Sequence, residues 1–84
     1  MGADGIRYAE LEQLLRRWGF QLERSSPAPI FRHRAEDVLV ALPAYDADEP
    51  VAQIHLVAIR KLLTERGIVP EEAFDREMAT APSS

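Results

Sequence analysis

The chain carries two imidazoles, His33 and His55, the side chain best suited to moving protons near neutral pH. His33 stands between Arg32 and Arg34, with Arg24 not far upstream. Guanidinium groups on neighbouring strands grip phosphates through forked donors, so Arg24, Arg32, His33 and Arg34 are the candidate RNA-contacting set. The competing fate is a solvated strand face, neutralised by Glu23, Glu36 and Asp37. Ser26, His33 and Asp37 are residue types of a nucleophilic triad, but they fall within 12 positions and lack a nucleophile elbow, so coincidence is the better account. Asp46, Asp48 and Glu49 cluster without the glycine and distal glutamate of a calcium loop and read as a solvated acidic tip. Tyr45 beside them is an aromatic suited to a partner contact, which makes Tyr45, Asp46, Asp48 and Glu49 the candidate partner-binding set. His55, between Ile54 and Leu56, reads as a helix-flank residue. With two His and no Cys, neither a zinc site nor any other metal or cofactor is expected, and thiol catalysis and a disulfide scaffold are excluded.

Those residues need elements to hold them. Leu11, Leu14, Leu15 and Trp18 repeat at helical spacing and predict a helix over 6–18, with Asp4 as a candidate N-cap. Gly19 suits the left-handed position after its end, with Phe20 folding back on Leu15. Phe20, Leu22 and Arg24 alternate with Gln21 and Glu23, as in a strand buried on one side. Ser25–Pro29 breaks the chain, Ile30–Arg34 resumes an extended pattern, and Arg34–Asp37 is a second turn. Val38–Leu42 reads as the most buried strand. After a loop, a second helix is expected from about Val51 to Arg66, with Val51, Ile54, Ala58 and Leu62 on its inner stripe, widened by Ile59 and Leu63. Gly67-Ile68 repeats the stop at Gly19-Phe20. Pro70 opens a last short helix, with Glu71 and Glu72 at its positive end and Phe74 docking with Met78.

The fold class is α+β: helix, three-stranded antiparallel meander, helix and short C-terminal helix, the helices on one face of the sheet and the other face open. A chain of 84 residues makes one small domain, placed at 6–78 between a flexible N-terminus at 1–5 and a disordered tail at 79–84. The first half is electrically balanced, and the whole net charge of −4 lies in residues 43–84. An acidic protein does not draw nucleic acid from a distance, and only a local Arg patch acts within a Debye length. No apolar run is long enough for a membrane span and no signal peptide is evident, so a cytoplasmic location without membrane contact is expected.

This order, with these residues, resembles the HicA family of toxins, whose fold is like the double-stranded-RNA-binding domain. The resemblance rests on Tyr8 to Phe20, similar to the family's first helix and its Gly-Phe ending. It continues through Ile30-Phe31-Arg32-His33, Val38 to Pro43, Ile59 to Ile68 and Glu71-Glu72-Ala73-Phe74. It implies a ribosome-independent mRNA endonuclease (an mRNA interferase) silenced by a cognate antitoxin, with its activity on a His in a Gly-Ser-His turn before the second strand. Here that turn reads Ser26-Pro27-Ala28-Pro29, and Ala28 occupies the place of the His. Cleavage by 2′-OH attack needs a proton carrier there, and a methyl group is not one. The loop after the third strand, basic or polar in the family, is acidic here. The expectation is therefore a HicA-like domain of a toxin–antitoxin-type family without a catalytic residue, binding an antitoxin-like protein. The alternatives are an mRNA-binding endoribonuclease using another residue and a structural homodimer formed through strand edges.

Overall fold

A computed structural model of the chain describes residues 6–80. The expected cap at Asp4, the N-terminal segment 1–5 and tail residues 81–84 lie outside the described residues. The element order is α1 (Tyr8–Arg17), β1 (Phe20–Arg24), β2 (Ile30–His33), β3 (Val38–Ala41), α2 (Gln53–Glu65) and α3 (Glu71–Thr80). The strands form one antiparallel sheet in the order β1-β2-β3.

One side of the sheet holds the core. Phe20, Phe31, Val38 and Val40 are buried there with Leu11, Leu14 and Leu15 of α1 and Leu56, Ile59 and Leu63 of α2. Burying such side chains contributes about 1.5–3 kcal/mol each, before the entropy of ordering them. The other side is open: Gln21, Leu39 and Ala41 are exposed. This is the α+β arrangement expected, with helices on one face.

Three details depart from the expected pattern. A bulge between Leu22 and Arg24 sets Arg24 opposite Ile30 and so moves it to the open face, away from Phe20 and Leu22. The inner stripe of α2 is Leu56, Ile59 and Leu63, while Ile54 is 73% exposed and Ala58 is also at the surface. Two apolar stripes overlap on that helix, and the contact with the sheet selects the second. The last helix is as long as the first, and 79–80, expected in the tail, continue it. It spans both neighbours: Phe74 stacks on Trp18 at 5.6 Å, Arg17 pairs with Glu77 at 3.3 Å, and Arg60 of α2 binds both oxygens of Asp75 at 2.9 and 3.1 Å.

The two glycine stops also differ. At Gly67 both bonds of a Schellman end form, Gly67 N–H to Thr64 O and Ile68 N–H to Leu63 O. At Gly19 the N–H of Gly19 reaches Arg16 O, and Phe20 leaves directly as β1.

Candidate functional site

The turn to which the resemblance assigns catalytic chemistry is the 25–29 link between β1 and β2. Ala28 is half-buried and Pro29 buried, and the Pro29 carbonyl accepts the Leu42 N–H at 3.1 Å, fixing the turn to the end of β3. The Ser26–Pro27 peptide is cis.

His33 stands at the other end of β2. From Ile30 to His33 the strand rises by roughly 10 Å at about 3.3 Å per residue, so the imidazole is far from Ala28. It lies opposite Phe20 and Val38, on the core side, and meets the Phe20 ring edge-on at 5.1 Å. Its Nδ1 accepts the Glu36 N–H at 3.1 Å, which places the proton of the neutral ring on Nε2. That edge covers Gly19: a Cβ at Gly19 would come within 2.7 Å of His33 Nε2. The ring packs a turn and a helix end.

The expected Arg24, Arg32, His33 and Arg34 set is therefore divided. Arg32 alternates with His33 and points to the open face, where Glu23 holds it at 2.8 Å and Asp37 at 3.0 Å. Asp37 reaches that position from a left-handed conformation (φ 55°), which an Asx side chain tolerates. Arg24 shares the open face by virtue of the bulge, and Arg34 is exposed in the β2–β3 turn. On the open face the carboxylates of Glu23 and Asp37, both held by Arg32, offset the charge of Arg24 and Arg32. Ser26 and His33 flank opposite ends of β2, so no triad assembles.

The loop before α2 is held by its backbone. Tyr8 N–H donates to Glu49 O and Ala9 N–H to Ala47 O, each at 2.9 Å, so main-chain carbonyls satisfy the first donors of α1. Arg7 adds a bond to Asp48 O at 2.8 Å, and Val51 N–H one to Ile6 O at 2.9 Å. Glu10 accepts the Arg7 N–H, and Glu49 accepts the Asp46 N–H. The carboxylates of Asp46 and Asp48 extend from this fixed loop into solvent.

Tyr45, expected to meet a partner, is half-buried and engaged inside the fold. Its ring stacks on Tyr8 at 5.8 Å, and its oxygen accepts the Ala52 N–H at 2.9 Å. Its hydroxyl also hydrogen-bonds His55 Nδ1 at 2.8 Å, the direction following the imidazole tautomer. Burial, then the Glu12 carboxylate, raise the Tyr8 hydroxyl above its usual range, with Arg16 opposing. This Tyr8–Tyr45–His55 cluster ties the loop to α1 and α2. Sequence reasoning missed it because its parts are 47 positions apart at the extremes and share no motif.

Among the described residues no three His, Asp or Glu side chains are grouped as a metal site would require. No described helix is long and apolar enough to cross a membrane. Compared with protein-family models, with curated proteins and with solved structures, the chain finds no match in any of the three.

Proposed function

We propose that this chain is a HicA-like domain of the toxin–antitoxin type that has lost its nuclease chemistry and serves as a protein-binding module, with an antitoxin-like protein as its partner class in the cytoplasm. The observation that carries the reading is Ala28, a methyl group in the turn where the resemblance calls for an imidazole. Three others support it. The helix–strand–strand–strand–helix order is the one that the resemblance implies. His33, the nearer imidazole in sequence, is at the far end of β2 and occupied by Glu36 and Gly19. Arg32 is neutralised by two carboxylates, and Asp46 and Asp48 face solvent where an RNA backbone would need cations.

Incubation with long single-stranded RNA tests it. Intact RNA and no shift at low salt are expected, as is harmless overexpression. RNA degradation that disappears in His33→Ala would overturn the reading in favour of an endoribonuclease with a relocated acid–base group.

A further inference from the structure

The two edges of the sheet are finished differently. The β1 edge ends in a bulge and in the charged pair Glu23 and Arg24, devices that discourage a further strand. The β3 edge has neither. From Val38 to Ala44 the sequence holds no ionisable side chain, and the strand is regular throughout its pairing with β2. The Leu42 N–H to Pro29 O bond sets the phase of the ladder: Val38, Val40 and Leu42 turn their peptide groups toward β2. The N–H and C=O of Leu39 and Ala41 therefore point outward. Leu39 is 48% exposed on the open face, and Ala58 and Leu62 of α2 wall a groove that runs along the same edge.

We propose that β3 pairs antiparallel with β3 of a second copy, Leu39 facing Ala41 of the partner, to give a continuous six-stranded sheet. The occupant follows from register and charge. A two-fold axis at Val40 makes both outward residues exchange both bonds, four hydrogen bonds in all. A shift that centres the axis on Ala41 sets Leu39 against Pro43, which has no N–H. A shift that centres it on Leu39 sets Ala41 against Asp37, whose left-handed backbone leaves the strand. In the chosen register Leu39 covers the small Ala41, and Asp37 meets Pro43, so no like charges face each other. An uncharged edge offers no handle to a charged partner and suits an equally uncharged strand, which this chain itself supplies. The inference rests on the regular pairing and the uncharged sequence of β3, and it holds whether or not the domain is HicA-like.

Sedimentation across a concentration series should show a monomer–dimer equilibrium. In Ala41→Pro the outward N–H alone is removed, and the dissociation constant should rise about tenfold or more, with thermal unfolding of the monomer little changed. Leu39→Lys should do the same through charge without altering the backbone. The chain has no cysteine, so L39C and A41C proteins can be mixed and oxidised. The mixture should cross-link far better than either alone, because facing Cα atoms in a bonded pair are about 5.5 Å apart, within disulfide reach. A monomer at every concentration, a dimer indifferent to both edge substitutions, or L39C alone linking as well as the mixture would overturn the proposal.

Discussion

Gly19 and Gly67 present the same signal in sequence, a glycine followed by a large apolar residue at the end of an amphipathic helix. Both have positive φ, 99° and 73°. Their surroundings differ completely. Above Gly19 lies the His33 ring; around the Cβ position of Gly67 nothing comes within 4 Å. The first stop is welded to the sheet by an imidazole, while the second is a purely local turn whose following helix is secured from outside by Arg60 and Asp75. The difference lies in a histidine: His33 is the lid of a helix end. Its two nitrogens have distinct structural duties, one accepting Glu36 N–H and the other lying over a glycine.

The largest effect is expected at the covered stop. Gly19→Ala adds left-handed strain of about 1–2 kcal/mol and overpacking against His33 of about 1–3 kcal/mol. Chemical denaturation should show their sum. In a His33→Ala background the overpacking part should vanish, so the double-mutant cycle should show about 1–3 kcal/mol of coupling. Additive effects would mean that His33 does not close over Gly19 as described.

Removal of the Tyr45 hydroxyl should come next. Tyr45→Phe leaves the Ala52 N–H and His55 Nδ1 without their shared partner and should cost about 1–3 kcal/mol. Amide exchange at Ala52 should accelerate more than exchange in the sheet. Equal acceleration everywhere would argue that the hydroxyl does not tie the loop locally.

At the open stop, Gly67→Ala meets only backbone strain, about 1–2 kcal/mol, and His33→Ala should leave that cost unchanged.

The smallest effect concerns the outer tie. The Arg60 guanidinium hydrogen-bonded to Asp75 lowers that carboxyl from its ordinary 3.8. A lowered native value means that the unfolded chain takes up the proton first as pH falls. The tie contributes in full above about 3.8 and is lost as pH drops through the native value. Asp75→Asn should flatten that part of the acid stability profile, and carboxyl NMR should place the Asp75 midpoint on the acid side of an exposed aspartate. An ordinary midpoint would show the ion pair to be broken in solution.

The element order was legible in the sequence because apolar periodicity, the two glycines and the Ser-Pro breaker all agree. Every strand begins at the residue where its pattern begins, and α1 ends at the residue before Trp18-Gly19, but β3, whose unbroken apolar run reads as the most buried strand, lies at the sheet edge with Leu39 and Ala41 exposed. The inner face of α2 was legible in part: Val51, Ile59 and Leu63 are buried as the periodicity gives, but Ile54-Ala58-Leu62 and Leu56-Ile59-Leu63 are both apolar stripes, and packing against the sheet chooses the second. The bulge at Glu23 left no mark in composition, yet it decides on which side Arg24 stands. The candidate site was readable as residue types but not as a constellation. Alternation along β2 sends Arg32 and His33 to opposite faces, and the carboxylates that quench Arg32 come from two different segments. The Tyr45 clamp was invisible for the same reason, being made only when the loop closes on α1.

The acidic loop has one more consequence. Its path is dictated by the amide carbonyls of Ala47, Asp48 and Glu49, which grip the head of α1, while the carboxylates of Asp46 and Asp48 take no part in that grip. Shape and electrical sign are thus separately adjustable there: exchanging either aspartate for lysine would repaint the corner without redrawing it.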